Sequence, residues 1–293
     1  MKANHSKAII ALFASTILWG SAGVIMKMSL QSIGTYYLLA FRFALAALLL
    51  LLVFRKKIRH ISKKTWKMGS LMGILMYFEF LFFTIGLNYT TASKSSFIIG
   101  AYVILVPLAY IIVNRKPPAN SSIVAAVVCL IGVSVVLLDD IEGINVGDLI
   151  VTISSACYAI HVVVTTRFVK NQDPIHINIV QIVVAAICAV GFAPFMERFP
   201  TSVSGTNIIS IIYLSIFATI GPYLLSVYGQ KYTKTTTAAV ILSFECVVGC
   251  IAAVLVLRDP LTIRVVIGAC IMIMSFLITE IKWVDKMCRK NTK

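Results

Sequence analysis

Two carboxylates, Glu79 and Glu245, and one imidazole, His161, each sit deep inside an apolar run of this sequence. A charged side chain at mid-bilayer costs about 2.5–3.5 kcal/mol on insertion scales, so its presence there calls for a partner or a task. Mid-helix carboxylates and a histidine, whose ordinary pKa lies near 6.5, can take up and release protons. Glu79, His161 and Glu245 are therefore the candidates for proton coupling. For each carboxylate a contact with a neighbouring helix is the alternative.

Helical spacing gathers other polar residues into lines. Ser154, Tyr158, His161 and Thr165 fall at i, i+4, i+7 and i+11 and share one helix face. Gly73, Tyr77, Thr84 and Asn88 form a comparable line, and internal repetition adds Ser15, Trp19, Ala22 and Met26. Such stripes line a cavity for a small solute, or they are polar helix–helix seams that need no solute. Small residues form two further stripes: Ser93, Ser96, Gly100 and Pro107, then Thr236, Ala239, Ser243 and Cys250. Close packing is their first reading. Tyr223, beside Pro222, offers an aromatic wall. The cavity candidates are thus Trp19, Tyr77, Thr84, Asn88, Tyr158, His161, Tyr223 and Ser243. One conflict stands: Glu245 points about 180° from its small stripe and Glu79 about 160° from the Tyr77 line, so they cannot all face one cavity. Arg42 and Lys27 lie toward helix ends, where snorkelling to headgroups explains both. Attraction of anions at the outer mouth is the alternative.

The elements that position these residues follow from composition. Of 293 residues 59% are apolar and 13% charged, with mean hydropathy +0.95. Soluble domains carry about 25% charged residues. Apolar runs over 8–26, 35–54, 68–87, 95–113, 121–138, 147–166, 175–195, 207–228, 237–257 and 263–281 predict ten transmembrane helices with short connections. Lys2 and Lys7 precede a first run of full spanning length without a small-residue cleavage site, so it is expected to remain as an uncleaved helix.

With the N-terminus placed inside, 20 of the 26 Lys and Arg residues fall on the cytoplasmic side, including seven between 55 and 67. Asp139, Asp140, Glu142 and Asp148 fall outside. The net charge of +15 is then a topology signal and gives no ground for nucleic-acid binding. The 55–67 loop can also hold anionic lipid headgroups. Both termini are expected in the cytoplasm of a cell whose inner (plasma) membrane carries the protein. The seven cysteines form no CxxC pair, so no metal, disulfide framework or cofactor is expected; Cys246 and Cys250, at i,i+4, are weak grounds for a soft-metal site. No GxxxxGK[ST] motif supports ATP-driven transport. Asp139, Asp140 and Glu142 are the one cluster a membrane-embedded lipid enzyme could use, and with no histidine beside them they read as a solvated loop.

The chain repeats itself. A shift of 143 residues pairs Tyr89 with Tyr232, Thr90 with Thr233, Arg115 with Arg258 and Pro117 with Pro260; a shift of 139 pairs Ser15 with Ser154, Trp19 with Tyr158 and Arg42 with Gln181. The expectation is an all-α integral membrane protein of ten transmembrane helices in two inverted five-helix repeats, 8–140 and 147–283. Five is odd, so the second unit enters from the opposite side, a plan that suits alternating access.

The segments ILWGSAGVIMK, FRFALAALLLL, YTTASKSSFIIGAYVILVPL and ILSFE resemble EamA-type members of the drug/metabolite transporter superfamily over nearly the whole chain. The resemblance implies a central cavity lined mainly by helices 1, 3 and 4 and their partners 6, 8 and 9. It also implies transport of small metabolites such as amino acids, often outward. The sequence departs from the pattern at Cys246, where the family often has Pro, and at Arg258 and Asp259, where it often has Gly-Glu. The usual reason for a kink in helix 9 is therefore missing. A sensor or structural membrane protein, or a lipid-modifying enzyme, is the alternative function.

Overall fold

The computed structural model describes residues 2–137, 145–201, 203–257 and 263–280, and every regular element among them is helical. The first half gives α1 (Lys2–Gly20), α2 (Ala22–Ser29), α3 (Thr35–Val53), the short α4 (Arg55–Ile58), α5 (Lys63–Tyr89), α6 (Ala92–Gly100), α7 (Tyr102–Asn114) and α8 (Asn120–Leu137). The second half gives α9 (Val146–Val169), α10 (Pro174–Met196), α11 (Gly205–Ser215), a π-helical turn (Ile216–Ile220), α12 (Gly221–Tyr232), α13 (Thr235–Ser243), α14 (Glu245–Leu257) and α15 (Ile263–Glu280). Seven continuous or broken helices are long and apolar enough to cross a membrane. Three shorter apolar helices, Asn120–Gly132, Thr235–Gly249 and Val266–Ser275, lie where the sequence predicts the fifth, ninth and tenth spans.

The ends of the bundle are tied differently. At one, the basic end, Lys57 meets Asp173 at 3.0 Å, Thr65 donates to Gln172 at 2.6 Å, and Lys231 donates to the Gln172 carbonyl at 2.8 Å. Arg167 donates to the Val113 carbonyl there. Asp173 also caps α10. Partial burial pushes its carboxyl up, but the Ile175 N–H and the Lys57 ammonium outweigh that and hold it below the ordinary carboxylate value. At the other, distal end, Lys94 pairs with Asp148 at 2.9 Å and Thr90 donates to the same carboxylate at 2.8 Å. Lys27 donates to the carbonyls of Leu87 and Thr90 at 2.5 and 2.9 Å. Glu197 accepts from the N–H groups of Tyr36 and Tyr37 at the start of α3. The Asp139–Asp140–Glu142 group and Arg258–Asp259 lie outside the described residues.

Four spans are interrupted, each for a local reason. Between α1 and α2 the glycines Gly20 and Gly23 flank Ser21 and weaken the helix, and the Ser21 hydroxyl bonds back to the Leu18 carbonyl at 2.8 Å. The fourth span breaks at Ala101, after Gly100. The ninth breaks at Phe244, the residue that the 143-residue shift pairs with Ala101. Its break occurs without a proline; Ser243 and Cys246 side chains bond to the carbonyls of Val240 and Ser243 instead. The eighth contains the π turn. Pro222 has no N–H to give the carbonyl four residues back, that of Ala218.

That freed carbonyl explains one correction. Arg42 does not snorkel: it is 0% exposed. Its guanidinium donates to the Ala218 carbonyl and the Thr219 hydroxyl, both at 2.7 Å, and lies 4.3 Å from the centre of the Phe80 ring. The π turn supplies two acceptors, so a buried cation finds in protein what it would otherwise seek in water.

Candidate functional site

Two large apolar clusters, with a third small one around Met72, Val164 and Val227, form the core of the described residues. One joins α2, α3, α5 and α10–α12, the other α1, α6–α9 and α13–α15, and Trp19 and Phe83 pack against both. A small cavity opens where the clusters meet. Its lining comes from Trp19 and Gly20 of α1, Ala22, Gly23 and Met26 of α2, Glu79, Phe80 and Phe83 of α5, Ser96 and Ile99 of α6, Ser154 and Tyr158 of α9, and Glu245 of α14. Its volume of about 60 Å³ is room for a few waters.

Small residues bring the walls together. A Cβ on Gly20 would lie 2.5 Å from Val248 Cβ, and one on Gly249 would lie 3.0 Å from the Ser96 hydroxyl, so broken spans 1, 4 and 9 cross at backbone distance. The break at Phe244 puts Glu245 in the first turn of α14, where the positive end of the helix dipole favours a carboxylate. Trp19 is anchored from behind: its indole N–H donates to the same Ala218 carbonyl at 3.1 Å, and its ring meets Tyr223 edge-on at 4.9 Å and Tyr158 at 6.1 Å.

The two carboxylates thus face one cavity, and the conflict read from helical angles resolves in their favour. The Tyr77 line looks elsewhere. Tyr77 stacks on Phe192 of α10 at 5.8 Å, and a Cβ on Gly73 would touch the Gln181 carbonyl at 2.6 Å. Thr84 bonds to the Phe80 carbonyl, and Asn88 to Thr35 at the distal end. That face is a helix–helix seam. Ser243 packs on Cys129 of α8 at 3.2 Å, away from the cavity. Of the other small-stripe residues, Ser96 does line the cavity, while the side chains of Ser93 and Cys250 fall outside the described ones.

His161 and Tyr223 stand behind the cavity wall. His161 Nδ1 is 3.8 Å from Glu79 Oε2, and the Tyr223 ring meets the imidazole edge-on at 5.8 Å. Glu245 and Arg42 act on Glu79 by charge, and Tyr223 through its hydroxyl. Among the described residues, Glu79 Oε2, His161 Nδ1 and the hydroxyls of Tyr158 and Tyr223 are buried polar atoms without a hydrogen-bond partner, as are the hydroxyls of Tyr77 and Thr165. Buried polar atoms are paired in nine cases of ten or better, so four gathered around one small space make it the candidate site.

Three neighbours of the cavity stand outside the cavity candidates that sequence offers. For Arg42 sequence offers snorkelling or attraction of anions at the outer mouth, though Pro222 is a signal that a carbonyl would be free to receive it. Gln181, which lies 3.2 Å from His161, enters from sequence only as the repeat partner of Arg42. Thr219 has no sequence signal of its own.

Comparison with known proteins covers nearly the whole chain. The model of the EamA-like transporter family matches residues 6–138 and again residues 145–280. An uncharacterized transporter of Archaeoglobus fulgidus is 26% identical over 275 residues, 94% of this chain and 86% of its own length. The uncharacterized transporter YyaM of Bacillus subtilis is 25% identical, with 99% of this chain and 98% of that protein covered. A solved crystal structure shares the fold at a TM-score of 0.75 and 15% identity, covering 94% of this chain and 96% of the other.

Proposed function

The chain belongs to the EamA-like transporter family, and from that premise we propose that it is a secondary transporter of amino acids or related amino-bearing solutes. It exports them by alternating access in exchange for protons carried on Glu79 and Glu245. The protein crosses the bacterial inner membrane ten times, in units 8–140 and 147–283, with both termini and the basic end in the cytoplasm.

The observation that carries this reading is the meeting of two carboxylates at one aromatic-lined cavity between broken helices. Carboxylates with the faces of Trp19 and Tyr158 suit an ammonium group, and the same carboxylates suit the protons that replace it. The cavity's volume is too small for a metabolite, so a solute enters only when one end of the bundle opens. Neutral metabolites remain within reach of the same site through Ser96 and Ser154.

Reconstitution in liposomes with an imposed proton gradient tests the proposal, using pooled labelled amino acids and related metabolites. The expected result is saturable flux that responds to the gradient. Glu79→Gln and Glu245→Gln each reduce it by about 100-fold, at the lower end of what a positioned acid–base group contributes, and His161→Ala reduces it less. Absence of flux with every pool, in folded protein, would count against a transporter of these solutes.

A further inference from the structure

A chain of buried amides runs from the back of the cavity to the basic end. His161 Nε2 lies 3.2 Å from Gln181 Oε1, Gln181 Nε2 donates to Asn178 Oδ1 at 2.8 Å, and Asn178 Nδ2 donates to the Pro174 carbonyl at 2.8 Å. His161 is 2% exposed, Gln181 and Asn178 are both 0% exposed. Three buried polar side chains in a row, ending beside a carboxylate, ask what the row accomplishes.

Its far end sets its direction. A backbone carbonyl can only accept, so Asn178 must turn its NH₂ toward Pro174 and its oxygen toward Gln181. That oxygen also only accepts. Gln181 must then present its NH₂ to Asn178 and its oxygen to His161. An amide oxygen requires a donor, so Nε2 of the imidazole carries the hydrogen. A neutral imidazole has one N–H, which leaves Nδ1 with a bare lone pair. Nδ1 is the atom 3.8 Å from Glu79 Oε2; among the described residues neither atom makes a hydrogen bond, and the Tyr223 hydroxyl is a further polar group that bears on Glu79.

We propose that Gln181, oriented by Asn178, is a positioning residue that fixes His161 in its Nε2–H tautomer, making Nδ1 the acceptor for the proton of Glu79. This rests on the reading that Glu79 carries a coupling proton. In the transfer the Glu79 O–H bond breaks as the Nδ1–H bond forms, leaving a carboxylate and an imidazolium whose Nε2–H stays on Gln181. The proton returns by the reverse step. The gap must close by about 1 Å to reach hydrogen-bond range, a movement within the reach of a glutamate side chain. Arg42 and Tyr223 are the other ionisable groups acting on Glu79 from α3 and α12, with Glu245 across the cavity.

The tautomer can be read without any solute. Full-length protein labelled with ¹⁵N-histidine, in lipid nanodiscs at neutral pH, gives separate signals for protonated and bare ring nitrogens. The chain has four histidines, and His161→Asn identifies which signals belong to His161. Wild type is expected to show Nε2–H and bare Nδ1. Gln181→Met and Asn178→Leu remove or release the acceptor and raise the Nδ1–H population about tenfold, the worth of one hydrogen bond. A residue that only fills space would leave the ratio unmoved. Wild type in the Nδ1–H form, or an unchanged ratio in folded Gln181→Met, would overturn the assignment. A ratio that responds as stated in a protein without proton-driven flux would sink the transport reading and leave the tautomer assignment standing.

Discussion

The seam between α5 and α9 and the seam between α12 and α1 are built from equivalent residues, yet they close opposite ends of the bundle. At the distal end a Cβ on Gly86 would lie 2.5 Å from Val151 and 2.8 Å from the Gly147 carbonyl. At the basic end a Cβ on Gly229 would lie 2.5 Å from Leu12 and 3.0 Å from the Ala8 carbonyl. The 143-residue shift takes Gly86 to Gly229, and the 139-residue shift takes Ala8 to Gly147 and Leu12 to Val151. The repeat therefore delivers one glycine contact twice, once per end. Away from the glycines the seams diverge. α5 and α9 are continuous, whereas their counterparts are broken at Ser21 and at the π turn. Glu79 in one seam corresponds to Pro222 in the other. One copy keeps a carboxylate at the cavity; the other opens its helix to hold Arg42 and Trp19. Symmetry supplies the two close contacts, and departures from symmetry supply the charged groups between them.

The largest effect is expected where the copies differ most, at the paired positions Arg42 and Gln181. Arg42→Met removes charge-assisted bonds to Ala218 and Thr219 and should lower stability in detergent by about 2–4 kcal/mol. Arg42→Lys should recover less than half, since one ammonium cannot reproduce the guanidinium fork. Gln181→Met should cost about 1–2 kcal/mol. Thermal unfolding of the three variants measures all of this, and equal losses at both positions would remove the distinction. A smaller effect is expected from the ties beside the glycines. Beside the distal seam Lys94 of α6 pairs with Asp148 of α9, and beside the basic seam Thr166 of α9 donates to Gln230 of α12 at 3.0 Å. Lys94→Gln and Thr166→Val should each loosen their own end by about 1 kcal/mol, and hydrogen exchange at the two ends separates them.

Much of the architecture was legible from apolar spacing, because a lipid-spanning segment has few ways to satisfy its backbone. The duplication was legible too, through Tyr89 and Tyr232 or Trp19 and Tyr158. The faces were harder. Tyr77 and Glu79 lie two residues apart, on different sides of α5, and periodicity alone does not say which side meets solute. Sequence offers both the phenol and the carboxylate as candidates, and of the two only the carboxylate lines the cavity. Breaks in helices were least legible. Gly100 announces one, but the break at Phe244 depends on side chains bonding to nearby carbonyls, which no residue type declares. Arg42 is hard to place because snorkelling is the usual answer for a cation near a helix end. The acceptors that hold it, on Ala218 and Thr219, lie 176 and 177 residues later, in the π turn before Pro222.

Accessibility of the cavity from each side tests the central claim, that the two glycine seams close opposite ends of one site. A single cysteine replaces Ser96, which lines the cavity, in a background freed of the native cysteines and carrying either Gly86→Ala or Gly229→Ala. An impermeant thiol reagent is then applied from one side or the other. Overpacking a closed seam costs about 1–3 kcal/mol, enough to shift the balance of states by roughly tenfold or more. Gly86→Ala should increase labelling from the distal side and Gly229→Ala from the basic side. Increases from the same side for both variants, or none in folded protein, would contradict the account.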